Sequence, residues 1–388
     1  MEAEATGVTS SHTRLASYQV RRSGLGTRVQ HRGHGKAQVE TEGGSLNPAS
    51  ALGEFLAWAE DSQREARLPK FSVDAVGHRI VHGGAKLRTP VLINDAVLAE
   101  LDQVTPLAPL HNPPTIAGIV AARELFGAGT PNVAVFDTAF HSTLPSEAAT
   151  YAIPADVSER YGIRRYGFHG IAHECMVQSY VAASGRALTN SKLITLQLGQ
   201  GCSAAAVKNG QSVDTSMGFT PLEGLMMGTR PGDLDPGILP FLTRSGALSP
   251  VHIEPWLSEE CGLLGVSKLS SDLQELWSAR KTSEQAALAI NMFCYRIRKY
   301  LGAFLAVLGG ADAIMFGGGI GENQPGIRSA VCQGMEWSGI SLDEATNGAT
   351  VGTTGLISAP NSAVEVWVTP VDESSLIARK TFALLQPG

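Results

Sequence analysis

The stretch from Leu193 to Thr215 constrains the fold more than any other part of the chain. Leu193-Ile194-Thr195-Leu196-Gln197-Leu198 reads as an apolar strand, Gly199-Gln200-Gly201 as a turn and Cys202 to Val207 as a second strand, with Asn209-Gly210 before Gln211 to Thr215. Asn-Gly supplies the positive φ angles that a tight hairpin needs, so the spacing predicts a three-strand antiparallel meander with glycines at its first turn. Helical spacing returns from Ser283 to Leu308, with Ser283 placed to cap the helix and Gly309-Gly310 to stop it. A strand over Ala313–Phe316, a glycine loop over Gly317–Gly321, a strand near Val364–Val368 and a helix from about Glu373 to Leu385 complete this half.

The first half repeats the theme. Leu15 to Val20 and Thr27 to Gln30 read as a weak hairpin behind a loose N-terminal tail, followed by a helix over Ala51–Ala66 and a buried strand over Val73–His82. A helix over Thr115–Phe126 then leads to the short run Asn132–Phe136, which ends on Asp137. Hairpins followed by alternating helices and strands, seen twice, predict an α/β protein of two duplicated lobes with a cleft between them. The length of 388 residues and the apolar content of 43% suit two domains rather than one.

Composition narrows the partners. A net charge of −6 leaves no basic surplus for nucleic acid or an anionic membrane. The five cysteines, Cys175, Cys202, Cys261, Cys294 and Cys332, lack metal-ligand spacing and read as buried thiols of a reducing compartment. The most apolar segment, Ala286 to Leu308, carries Arg296, Arg298 and Lys299, which argues against a membrane span. A cytoplasmic protein is expected.

Several short motifs carry chemistry. The glycines at 199–201 and 317–321 each follow an apolar strand, so backbone N–H groups there could wrap an oligophosphate, although neither loop is a P-loop or a Rossmann turn. Arg79 sits at a strand end among His78, His82, Gly83 and Gly84, where a guanidinium could capture a carboxylate or phosphate or simply face solvent. His169, between Phe168 and Gly170, reads equally as a core histidine or as a donor to a phosphoryl oxygen. The run from Asp214 to Pro236 has neither helical nor strand period but is too apolar for disorder, and reads as an active-site wall.

The strings HRIVHGG (78–84), LAPLHNP (107–113), FDTAFH (136–141), RRYGFHG (164–170), DTSMGFTPLEGLMMGTRPGDLDP (214–236) and GGIGEN (318–323) together resemble the acetate kinase family, in order and spacing, from about Val73 to the C-terminus. The resemblance implies two ribonuclease-H-like lobes of the superfamily of sugar kinases, chaperone ATPases and actin. They would be residues 1–141 with 372–388, and 142–371. It implies phosphoryl transfer from ATP to acetate and a homodimer. It gives Arg79 and Arg230 as binders of the acid and phosphoryl group, Asp137 as catalytic carboxylate and His169 as transition-state stabiliser, and Val81, Leu110, Phe168 and Pro221 as acyl pocket. Nucleotide contacts would come from Gly199, Gln200, Gly201, Asp272, Gln274, Gly318, Gly319, Ile320, Gly321, Glu322 and Asn323. Glu373 would serve Mg²⁺, with Mn²⁺ a substitute.

The chain departs from the family in places. The family opens with an asparagine, a serine run and a lysine; here only Thr9-Ser10-Ser11 is similar, no asparagine precedes Asn47, and Thr13 or Arg14 stands at the lysine. Gln200 replaces an asparagine, Gln274 an arginine and Pro231 a serine. The alternatives are a propionate or butyrate kinase, and a nucleotide-binding relative with impaired catalysis.

Overall fold

The computed structural model describes residues 2–8, 14–23, 26–33, 39–43, 53 and 73–386, the strands before residue 44 by their backbone only. It divides into two compact units, Met1–Ala139 with Asp372–Gly388, and Phe140–Val371. The helix expected over Ala51–Ala66 and the Thr9-Ser10-Ser11 run lie outside the described residues.

In the first unit, β1 (Glu2–Val8), β2 (Arg14–Ser23), β3 (Gly26–Gly33) and β4 (Val39–Gly43) form an antiparallel sheet in sequence order. The expected hairpin is β2–β3, with Val20 opposite Val29, but the expected loose tail is corrected: Glu2–Val8 pairs with β2. A second sheet has the order β5-β7-β6, from β5 (Val76–Ile80), β6 (Val91–Leu92) and β7 (Asn132–Phe136). The strand expected to be buried over Val73–His82 is shorter and alternates: Gly77 and Arg79 are exposed, Ile80 buried. β7, by contrast, is buried throughout, because helices α1 (Asp95–Val104) and α2 (Asn112–Phe126) pack Leu101, Val104 and Ile119 against Ile80, Ala134 and Phe136. Asn94 caps α1 by accepting from the Val97 amide. Helix α2 begins three residues earlier than expected, since Pro113 and Pro114 in its first turn need no donor bond there.

The second unit holds a six-stranded sheet in the order β10-β9-β8-β11-β13-β12, built from β8 (Lys192–Leu198), β9 (Cys202–Lys208), β10 (Gln211–Thr215), β11 (Ala313–Gly317), β12 (Gly355–Leu356) and β13 (Glu365–Val368). The antiparallel meander feeds parallel pairings of β8 with β11 and of β11 with β13, the ribonuclease-H-like order. Asn209 and Gly210 both take positive φ, as the hairpin requires. Helix α3 (Gly170–Ser184) packs Met176, Val177 and Tyr180 onto Leu193, Ala205, Val207 and Met315. Helix α4 (Glu284–Leu308) is capped by the Ser283 hydroxyl and ends at a left-handed Gly309, as expected. The glycine loop is instead the start of a helix: α5 (Gly318–Asn323) follows β11 directly, and α6 (Pro325–Cys332) and α7 (Glu344–Ala349) come next. Asp214 to Pro236 contains no helix and, past Thr215, no strand. Among the described residues no helix is long and apolar enough to cross a membrane.

Candidate active site

Parallel pairing of β5 with β7 sets Ile80 beside Phe136, so Arg79 and Asp137 share one sheet end. The Asp137 amide donates to the Ile80 carbonyl at 2.9 Å, which extends the ladder by one step and fixes the carboxylate. Arg79 grips it through Nε at 3.1 and 3.2 Å and through Nη2 at 2.6 Å. Asp137 is 1% exposed, whereas the Arg79 side chain is 40% exposed. Glu373, in the first turn of the C-terminal helix (Glu373–Leu385), lies 3.4 Å from Arg79 Nη1. Two carboxylates thus meet one guanidinium.

In the second unit the meander's first turn is the focus. An ideal Cβ on Gly201 would fall 2.9 Å from Arg230 Nη2 and 3.2 Å from His169 Nε2. Both side-chain tips therefore converge on the turn, close against the position a Cβ would take. Arg230 donates from Nη1 to the Pro221 carbonyl at 2.8 Å, and among the described residues no carboxylate pairs with it. Burial lowers its pKa, yet a guanidinium stays charged at neutral pH. Cys202 beside it is pushed up to about 12 by burial, so its thiol supplies no counter-charge. A half-buried guanidinium with no carboxylate beside it has the chemistry to receive an anion.

His169 caps α3 in a left-handed conformation, φ 57°. Two neighbours hold it there. The His141 Nε2–H donates to the Phe168 carbonyl at 3.0 Å while Nδ1 meets the Ser212 hydroxyl at 2.8 Å. Gly167, at φ 72°, passes so close that a Cβ would lie 2.7 Å from the His141 ring. The Asp214–Pro236 wall is pinned by Arg165, which donates to the carbonyls of Thr215, Ser216 and Met217 and pairs with Glu223 at 2.6 Å. Tyr151 donates to Glu223 and accepts from the Phe219 amide, which fixes the turn carrying Pro221.

The expected nucleotide residues are distributed around this turn. The Gly199 amide donates to the Gly201 carbonyl, and the exposed Gln200 accepts through its backbone from the Gly228 amide. Gly318, buried at φ 74°, lies against the Leu198 carbonyl, 2.5 Å from where a Cβ would be. Asn323 donates to the Gly319 carbonyl, the Ile320 carbonyl accepts from the Gln324 amide, and the Glu322 carboxylate accepts from the Val371 amide. Asp272 caps the helix Leu273–Ala279, and Gln274 is exposed. The side chains of Asp272, Glu322 and Asn323 thus bond within the local structure. Of the acyl-pocket residues, Val81 and Leu110 belong to the first unit, half-buried and 58% exposed, while Phe168 and Pro221 belong to the second, the former 1% exposed.

Sequence reading missed Ser203, His173, Arg165, Glu223, Tyr151 and Arg328. His169 and His173, one helical turn apart, were the signal available for the pair; the rest meet only in three dimensions.

Burial drives His82 and His141 down to about 4 and His173 well below the ordinary value. Each is neutral when folded and takes up a proton on unfolding below about pH 6.5. Stability is therefore complete above that pH and lost as pH falls toward 4, by up to about 3 kcal/mol for a histidine moved that far. Chemical denaturation between pH 7.5 and 4.5 should show this slope; a flat profile would contradict it.

The acetokinase family pattern matches residues 25–379. The chain is 49% identical over 339 residues to an acetate kinase of Solibacter usitatus, spanning 86% of this chain and 82% of that one. It is 43% identical over 374 residues to one of Heliobacterium modesticaldum, spanning 96% and 94%. Among solved structures, an acetate kinase of Porphyromonas gingivalis superposes with a TM-score of 0.90 at 39% identity, over 99% of this chain and 97% of that one. A propionate kinase of Francisella tularensis does so with 0.88 at 32%, over 98% and 96%.

Proposed function

The chain belongs to the acetokinase family, and from that premise we propose that it transfers the γ-phosphoryl group of ATP to acetate, reversibly and in line, giving acetyl phosphate and ADP. The observation that carries this reading is the convergence of Arg230 and His169 on Gly201, which sets two donor side chains against the glycine turn after β8.

Acetate is ionised at neutral pH and needs no general base, so the residues' task is alignment and charge neutralisation. Arg79 anchors the acid's carboxylate, held in orientation by Asp137. Arg230 and His169 meet the equatorial oxygens of the transferring group, where negative charge spreads in a loose transition state. Gly201 in the turn and the glycines at the start of α5 offer N–H groups to the remaining phosphates.

Among the described residues no cluster of three or more His, Cys, Asp or Glu could cage a metal. Mg²⁺ keeps its waters and takes one or two carboxylates plus phosphate oxygens. Glu373, beside Arg79, would hold it, and Mn²⁺ suits the same donors. When bound, the cation neutralises phosphate charge. A cytoplasmic homodimer completes the reading; burial of four of the five cysteines suits the reducing compartment this supposes.

Trapping acyl phosphate as hydroxamate, with ATP, Mg²⁺ and each of acetate, propionate and butyrate, tests the function. Acetate should lead, with kcat/KM falling about tenfold for each added methylene, near the low end of what one methylene is worth. No product from any of the three acids would overturn the reading; a butyrate optimum would overturn the substrate.

A further inference from the structure

We propose that Thr195, His173 and Ser203 form a polarised hydrogen-bond chain that fixes the tautomer of His169, so that its neutral ring presents an Nε2 proton toward Gly201. This rests on the phosphoryl-binding role given to His169 above.

The chain is continuous. Thr195 Oγ1 lies 2.7 Å from His173 Nδ1, His173 Nε2 lies 2.8 Å from Ser203 Oγ, and Ser203 Oγ lies 2.9 Å from His169 Nδ1. Thr195, His173 and Ser203 are 0% exposed. Burial holds His173 neutral, so the ring carries one proton and must donate at one nitrogen and accept at the other.

Two polarities satisfy that rule, and the Thr195 hydroxyl decides between them. Its single proton can go to His173 Nδ1 at 2.7 Å or to the Ala205 carbonyl at 3.5 Å, the limit of a hydrogen bond. The shorter choice makes His173 donate from Nε2 to Ser203, and Ser203 donate to His169 Nδ1. The neutral His169 ring then keeps its proton on Nε2, the atom 3.2 Å from the Cβ position of Gly201. The opposite polarity leaves the threonine proton only the long contact to the Ala205 carbonyl and aims a bare lone pair at the incoming phosphoryl oxygens, which repels them. His173, Ser203 and Thr195 are therefore positioning residues that set which ring nitrogen of His169 carries the donor proton.

Nitrogen-15 NMR of ring nitrogens in the full-length, histidine-labelled protein tests this, with the His169 signals assigned by their absence in His169→Asn. The wild type should show His169 protonated at Nε2 and bare at Nδ1. Ser203→Ala should mix the two His169 tautomers and lower kcat on the order of 10–100-fold, with both KM values within about threefold. Thr195→Val, which preserves shape, should shift the same signals and serves if the serine variant does not fold. A wild-type His169 protonated at Nδ1 overturns the proposal without any variant, and so do unchanged His169 signals in a folded variant. Failure of acyl phosphate formation by the wild type would overturn the functional reading while leaving these ring signals to be judged on their own.

Discussion

Arg230→Ala should lower kcat about 10³-fold or more, roughly 4 kcal/mol of transition-state stabilisation, while the protein stays folded with an unchanged or slightly raised Tm. The two halves of this expectation share one cause. Among the described residues the Arg230 side chain makes a single hydrogen bond, to the Pro221 carbonyl, and pairs with no carboxylate. Its charge is therefore held half-desolvated at a cost to stability, recovered only when a phosphoryl group arrives beside Gly201. Arg230→Lys should restore little, because a point charge lacks the planar fork that meets two oxygens. Steady-state kinetics with a thermal melt check both halves; near-normal turnover in the alanine variant would remove Arg230 from the mechanism.

Arg328→Met should cost about 3–5 kcal/mol of stability and lower Tm on the order of 10 °C. This arginine is also buried without a carboxylate, yet its surroundings are the reverse of those at Arg230. It is 0% exposed, with Nε donating to Asn347 Oδ1 at 2.7 Å, Nη1 to the Gly321 and Glu322 carbonyls, and Nη2 to the Asn347 and Thr350 carbonyls at 2.8 and 2.6 Å. Every donor edge is used, and burial lowers its pKa only to about 10, so it remains charged. It ties the end of α5 to α7, and methionine would leave several buried acceptors unmatched. Because α5 carries the glycines assigned to nucleotide, KM for ATP should rise while KM for acetate holds. A melting point within about 2 °C of wild type would refute the structural half.

Much of the second unit was legible in the chain. Asn209-Gly210 announces a hairpin through the φ angles it permits, and Ser283 and Gly309 mark α4 because helix ends need those partners. The N-terminal reading was poorer: the segment called a loose tail forms β1, since backbone pairing with β2 overrides a sequence of weak strand preference. The glycines after β11 were read as a loop although they begin a helix, because glycine signals backbone freedom without saying which conformation uses it.

Residue types and motif order determined by themselves the family and the α/β class, and they singled out Arg79, Asp137, His169 and Arg230 as candidates, because each motif is a short local string. Tertiary structure decided what those residues touch. Arg79 and Asp137 are 58 positions apart and meet through a parallel register that no local pattern encodes. Thr195, His173 and Ser203 look like ordinary strand and helix residues until β8, β9 and α3 close around them. Arg230 and Arg328 are the same amino acid in sequence, and only the count of acceptors within reach separates a cation held ready for an anion from one that holds the fold together.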